Sequence, residues 1–307
     1  MSNPQIHCVT GAFGYSGRYI AAELLEAGHA VRTLTGSSPR VTPQLPDVSA
    51  VDVRPLAFDD PDGLTRSLEG VDVLYNTYWV RFNHRRFSHG EAVANSKVLF
   101  DAAARAGVGR IVHVSITNPS LDSPFEYFRG KAELEQTLAE SDIPHTILRP
   151  AVLFGGDDIL INNIAWMLRR LPVIGLFGRG DYRLQPIHVH DFARLAVAAG
   201  QETGDRTVDA IGPETFAYRE LVATIARTLG RRRLIVGLPP SLAYLFTRAM
   251  GLLLRDVIIT WPEVGGLMAD LLCTESTPTG TTSLTDWATE HADWLGKNYH
   301  SELARRR

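Results

Sequence analysis

The stretch Thr10-Gly11-Ala12-Phe13-Gly14-Tyr15-Ser16-Gly17 constrains this chain more than any other. An apolar run, Ile6-His7-Cys8-Val9, precedes it, and a helical-period segment from Arg18 to Gly28 follows. That order predicts strand, tight turn, helix. Glycines let a backbone approach an anion closely, and N–H groups at a helix start point at it with the positive end of the helix dipole behind them. Gly17 predicts close packing of the helix on its strand. The spacing G-x-x-G-x-x-G, between a strand and a helix, therefore predicts a phosphate site.

The same alternation continues. Strands are expected at His29–Thr35, Val51–Phe58, Val71–Asn76, Arg110–Ser115 and Pro144–Arg149. Helices are expected at Asp62–Leu68, Glu91–Ala106 and Tyr127–Leu138. Strands alternating with helices give an α/β fold with a Rossmann-type, doubly wound parallel sheet. Ligands of such sheets bind at the carboxyl ends of the strands, where Gly14, Asp59, Asn76 and Ser115 fall. A smaller C-terminal α/β region for substrate is expected after it. The expected division is 1–155 and 156–307, with 186–212 returning to the sheet.

In a dinucleotide fold the end of the second strand meets the adenosine ribose, and an acid there binds the 2′-hydroxyl. No acid stands in Gly36-Ser37-Ser38-Pro39-Arg40, and Ser37, Ser38 and Arg40 suit a phosphate instead. NADP is therefore preferred over NAD. Asp59 and Asp60 could accept from the adenine amino group or cap the next helix. Asn76, Thr77, Tyr78 and Trp79 are expected to wall the cleft. The loop Arg81–Phe87 reads as surface or as a substrate rim. Tyr127 and Lys131 are spaced i, i+4 and share a helical face. A lysine beside a phenol lowers its pKa and makes it a usable acid/base.

In the second region His188 and His190 alternate on an expected strand, with no third ligand nearby for a metal. Asp191 is read as the cap of the following helix. No G-x-S-x-G elbow surrounds Ser115, which leaves hydrolase chemistry without support. The formal net charge of −3 gives no electrostatic case for nucleic acid, and the basic end Ala304-Arg305-Arg306-Arg307 is too short to change that. The two cysteines, Cys8 and Cys273, make no disulfide framework. An N-terminus entering a strand at once predicts no secretory leader and a cytoplasmic chain. Leu234–Thr260 is apolar but broken by Pro239-Pro240, Arg248 and Arg255-Asp256, so it predicts no membrane span. Residues 241–254 read as a buried or partner-facing helix, or as a peripheral membrane contact.

Taken together these residues resemble the short-chain dehydrogenase/reductase superfamily in its extended or atypical branch. The resemblance rests on Thr10-Gly11-x-x-Gly14-x-x-Gly17, Asn95, Arg110 to Ser115, Tyr127-x-x-x-Lys131, Leu148-Arg149-Pro150, Phe177-Gly178-x-Gly180 and His188-Val189-His190-Asp191. Tyr75 to Trp79, Ile159 to Trp166 and Gly212 to Phe216 are similar to the NAD(P)H-binding accessory subunits of complex I, 39 kDa class. The resemblance implies a cofactor site of Gly11, Ala12, Phe13, Gly14, Tyr15, Gly17, Ser37, Ser38, Arg40, Asp59, Asn76, Thr77, Tyr78, Lys131 and Pro150. It implies Tyr127 as acid/base, Lys131 on the nicotinamide ribose, Ser115 orienting a substrate oxygen and Asn95 in a proton relay. Ser115 and Tyr127 lie closer in sequence than is usual in extended members, so the active-site loop is short.

Three functions follow. One is an NAD(P)-dependent oxidoreductase on a carbonyl or alcohol. Another is a non-catalytic NADP(H)-binding accessory or sensor. The third is a nucleotide-sugar epimerase or dehydratase, with Arg179 and Arg183 on a diphosphate. A small apolar or quinone-like substrate is expected, with Trp79, Phe82, Trp166 and the surroundings of Leu184 as its wall. Oligomeric state is not legible in the sequence.

Overall fold

The computed structural model describes residues 5–305; Arg306 and Arg307 of the basic end lie outside the described residues. The chain divides into two compact units, Met1–Pro150 with Phe192–Asp209, and Ala151–Asp191 with Ala210–Arg307.

The first unit alternates as its periodicity requires. It runs β1 (Ile6–Thr10), α1 (Tyr15–Glu26), β2 (Ala30–Thr35), β3 (Val51–Pro55), α2 (Pro61–Leu68), β4 (Val73–Asn76), α3 (His89–Ala106), β5 (Arg110–Val114), α4 (Glu126–Ala139) and β6 (His145–Pro150). After an excursion through β7 (Val152–Phe154), α5 (Leu160–Arg170), β8 (Val173–Phe177), β9 (Arg183–Leu184) and β10 (Pro186–His188), it is rejoined by most of α6 (Val189–Gly200) and by β11 (Arg206–Ala210). The seven strands form one sheet in the order β11-β6-β5-β4-β1-β2-β3. The pairings from β3 across to β6 are all parallel. Strand order reverses between β1 and β4, the switch point at which such sheets open a crevice.

One sheet face is closed by α2, α3 and α4. Leu64 and Leu68, Leu99 and Phe100, and Leu134 and Leu138 pack with Cys8, Leu74, Ile111 and Ile147 of the strands. Helix α3 starts at Ser88, whose hydroxyl accepts from Glu91 N, and ends at Gly107 in the left-handed region. Gly200 of α6 lies so close to Tyr75 that a Cβ there would sit 2.1 Å from the phenol oxygen.

The second unit continues with β12 (Phe216–Ala217), α7 (Tyr218–Thr228), β13 (Leu234–Leu238), α8 (Pro240–Leu254), α9 (Trp261–Met268), α10 (Leu284–Glu290) and α11 (Glu302–Arg305). Its strands pair as β7 with β10, β9 with β12 and β8 with β13. Its core gathers Phe154, Ile161, Leu168, Leu184, Ile225 and Trp287. Leu184, whose surroundings were expected to wall the substrate, is itself a core residue. The expectation for the histidine pair also changes. β10 ends at His188 and α6 begins at Val189, so His188 and His190 do not alternate on one strand; their rings stack across the junction at 5.5 Å.

Candidate functional site

The turn between β1 and α1 is built from its glycines. Gly11 has φ +67°, a conformation that penalises any residue with a Cβ. A Cβ on Gly17 would stand 2.2 Å from Gly11 O, so only glycine lets α1 lie this close to the strand end. The turn commits several of its own amides: Gly11 N–H donates to Leu34 O, Gly14 N–H to Gly11 O, and Ala12 N–H to Thr33 Oγ1. Helix α1 then opens at Gly14 with no side-chain cap and no acid in its first turn. The N–H groups of Phe13, Ser16 and Gly17 find no acceptor among the described residues. An anion is what such a helix start lacks. Tyr15 stands in that first turn, half-buried, its ring edge-on to Tyr19. Ala12 is wholly buried, so it shapes the turn from behind instead of meeting a ligand.

At the end of β2 the residues Ser37, Ser38 and Arg40 are exposed. The next acid in the chain, Asp47, accepts from Ser49 N and Oγ, and Asp52 pairs with Arg32. β3 stops at Pro55, short of the expected Phe58; Asp59 lies exposed in the connection that follows, while Asp60 caps α2 through Gly63 N–H at 2.9 Å. The end of β4 is knotted onto β1. Thr77 N–H and Tyr78 N–H both donate to Thr10 Oγ1, and Thr77 Oγ1 donates to Thr10 O at 2.6 Å. Asn76 is 0% exposed. Its Oδ1 accepts from Tyr78 N–H and Thr10 Oγ1, and its Nδ2 donates to His113 Nδ1. Asn76 therefore orients the loop and has no surface for a ligand, which corrects its expected place in direct contact. Burial holds His113 well below the usual imidazole range, consistent with a neutral ring accepting at Nδ1. Pro150, buried at the end of β6, accepts from Thr117 N–H.

The four residues expected to be catalytic occupy two neighbourhoods. Asn95 of α3 donates to Tyr78 Oη at 3.0 Å, and the Tyr78 ring leans on Phe58. Tyr127 opens α4, half-buried, with its ring edge-on to Trp79 at 5.6 Å and to His89 at 5.6 Å. Lys131, one turn on, is 2% exposed. Its ammonium donates to Val114 O at 2.6 Å and lies over the Trp79 ring at 4.2 Å from the centroid. The strand end and Trp79 hold it. Burial lowers its pKa from 10.5 to about 7. Ser115 is buried as well, and its hydroxyl donates to Glu135 Oε1 at 2.5 Å. Arg149 Nε donates to the same Oε1, and Arg149 Nη2 pairs with Oε2.

Glu135 and Arg149 are the residues that sequence reasoning missed. Glu135 continues the i, i+4 series Tyr127, Lys131, Glu135 on α4, which was a usable sign. Arg149 stood in the Leu148-Arg149-Pro150 motif without a role.

In the second unit Arg183 is engaged: its backbone N–H, Nε and Nη2 donate to Asp270, and Nη1 meets Glu275. It does not stand ready for a diphosphate. Asp191 is not the expected helix cap; its Oδ2 accepts from Thr281 N–H and Thr282 N–H and so holds a distant loop. Phe82 is buried against Phe87, and Trp166 packs edge-on to Tyr299. Among the described residues no group of three or more His, Cys, Asp or Glu is arranged to hold a metal.

A family model described as NAD(P)H-binding matches residues 11–163. Subunit 9 of the NADH dehydrogenase [ubiquinone] 1 alpha subcomplex of Arabidopsis thaliana is 30% identical over 223 residues, which are 69% of this chain and 55% of that protein. The chain therefore spans little more than half of that relative. A (4-alkanoyl-5-oxo-2,5-dihydrofuran-3-yl)methyl phosphate reductase of Streptomyces griseus is 32% identical over 228 residues, 73% of each chain. Among solved structures, an NADPH-dependent quinone oxidoreductase of Escherichia coli complexed with NADPH superposes with a TM-score of 0.72 at 21% identity, over 92% of this chain and 99% of that one. At that identity the likeness is one of fold.

Proposed function

Because the chain belongs to the NAD(P)H-binding family, we propose that it is an NADP(H)-dependent reductase of an apolar, conjugated carbonyl or quinone-like acceptor. The observation that carries this reading is the uncapped start of α1 behind Gly11 and Gly17, where the Phe13, Ser16 and Gly17 amides await an anion. The pyrophosphate of a dinucleotide fits that chemistry. Ser37, Ser38 and Arg40, exposed and without a neighbouring acid in their turn, suit a 2′-phosphate. Asp59 and the wall of Thr77 and Tyr78 suit the remainder of the nucleotide.

The nicotinamide, when bound, supplies the hydride. Tyr127 would hold the proton that the acceptor's oxygen takes up, with Trp79 and His89 fixing its ring. Ser115 has given its own proton to the bond with Glu135, so it offers a ligand lone pairs only. The conjugated acceptor is supported by the names of the Streptomyces griseus reductase and the Escherichia coli quinone oxidoreductase.

Titration of the purified chain with NADPH and with NADH, followed by NADPH consumption against quinones and enones, tests the reading. The expected result is tighter NADPH binding and a turnover that Tyr127→Phe abolishes. Tight binding with no turnover on any acceptor would overturn it and leave a second reading, a non-catalytic nucleotide-binding accessory. The contacts of Lys131 with Val114 O and Trp79 favour that second reading, since they give the ammonium a role in tying α4 to the strand end.

A further inference from the structure

Helix α8 packs into the second unit through a narrow strip, burying Ala243 and Gly251. Its opposite side is apolar and open. Leu242, Leu245, Phe246, Leu252 and Leu253 follow the i, i+3, i+4, i+10, i+11 spacing of one helical stripe, and all are exposed, Leu252 by 79% and Leu253 by 85%. Trp261 of α9 is half exposed, its ring edge-on to Tyr244 of α8. Soluble chains rarely leave so continuous an apolar face in water without an occupant.

Charge identifies the occupant. Between Glu220 and Asp256 the chain carries Arg227, Arg231, Arg232, Arg233, Arg248 and Arg255 and no acid, although the whole chain is net negative. Arg231, Arg232, Arg248 and Arg255 are exposed and make no ion pair among the described residues. Arg248 follows Leu245 by three residues, so helical spacing sets it on the flank of the apolar stripe, and Arg255 caps the C-terminal end of the helix just beyond Leu252 and Leu253. A second copy across a two-fold axis would offer this same basic patch, which holds no acid to pair with Arg248 and Arg255. A surface that is both apolar and anionic answers the stripe and its flank together.

We propose that α8 docks on an anionic lipid bilayer, lying in the headgroup region with its leucine stripe inserted and Arg248 and Arg255 on lipid phosphates. With 15 residues the helix is about 22 Å long, too short for the roughly 30 Å hydrocarbon core, so it lies in the interface and does not cross. Among the described residues no helix is long and apolar enough to span. Trp261 suits the headgroup boundary, where indole rings concentrate.

Flotation of the full chain with vesicles of phosphatidylcholine alone, and with phosphatidylglycerol added, tests the proposal. Binding is expected on the anionic vesicles, weakened by added salt. Each arginine at an anionic leaflet contributes roughly fivefold, so Arg248→Gln with Arg255→Gln lowers partitioning by roughly 25-fold. Leu252→Glu with Leu253→Glu abolishes it; both positions are open to solvent, and an unchanged circular dichroism spectrum and melting curve confirm the fold. Equal binding to neutral and anionic vesicles, or wild-type binding by the Leu252/Leu253 variant, overturns the proposal. So does a dimer in light scattering that the same variant converts to monomer without any vesicle binding, which would assign the face to a second copy.

Discussion

Ser115 and Glu135 share a 2.5 Å hydrogen bond between the end of β5 and the third turn of α4, with Arg149 of β6 closing on the same carboxylate. Three elements are thus tied by one nearly buried acid. Removing a single partner from such a group strands the others without compensation. Glu135→Ala is expected to lower unfolding stability by about 3 kcal/mol, with Glu135→Gln costing less because it still accepts from Ser115. Urea denaturation measures both; a loss below about 1 kcal/mol for Glu135→Ala would show that the cluster is well solvated.

Lys131 gives a pH dependence of definite sign. Burial lowers its folded pKa from 10.5 to about 7, so across that window the unfolded chain binds the proton more readily than the folded one. Stability then rises as pH increases from about 7, with a slope no steeper than about 1.4 kcal/mol per pH unit. Lys131→Met should remove this contribution. Denaturation of the wild type and the variant at neutral pH and at about pH 9 checks it. Parallel pH profiles for the two proteins would mean that Val114 O and Trp79 hold a lysine of ordinary basicity.

Gly17 is the tightest test of the turn. A methyl group there meets Gly11 O at 2.2 Å, and that atom is backbone fixed by the bonds of Gly11 and Gly14. Gly17→Ala is expected to cost about 3 kcal/mol and to weaken dinucleotide binding with it. Gly36→Ala, with open space and an ordinary φ, is the control. Calorimetry with a parallel nucleotide titration separates the two effects.

Arg40 tests the choice of dinucleotide. Arg40→Ala should weaken NADPH by roughly tenfold and leave NADH nearly unchanged, because a charge-assisted contact to a 2′-phosphate has no counterpart in NADH. Equal losses for both cofactors would place Arg40 away from the ribose.

The loop held by Asp191 offers a structural check. Asp191→Ala leaves the Thr281 and Thr282 amides without their carboxylate and should cost about 2 kcal/mol. Faster hydrogen exchange confined to residues 279–283 would accompany it; an unchanged exchange rate there would count against the tie.

Much of the fold was legible because its causes are local. The apolar period of β1, the glycines of the turn and the helical spacing of Arg18 to Gly28 act within one stretch of chain; β1 lies where its period predicts, and α1 begins three residues earlier, at Tyr15, and ends at Glu26. Helix α3 follows the same logic, stopping at Gly107, where the chain needs a positive φ. The i, i+4 spacing of Tyr127 and Lys131 placed both on α4, yet it could not say what faced them. That depended on Trp79, which arrives from the end of β4.

The sequence by itself determined the alternation of strands and helices, the phosphate-type turn at Gly11 to Gly17 and the missing acid after β2, because short-range sterics and hydrogen bonding govern each. Tertiary structure alone decided that Ser115 bonds Glu135 across 20 residues and that Asp191 reaches Thr281 across 90. It also decided that Asn76 turns inward and that the leucines of α8 stay uncovered. Pairing and burial arise only when separate elements meet. A carboxylate's partner, or the cover on an apolar face, is set by what the rest of the chain brings beside it.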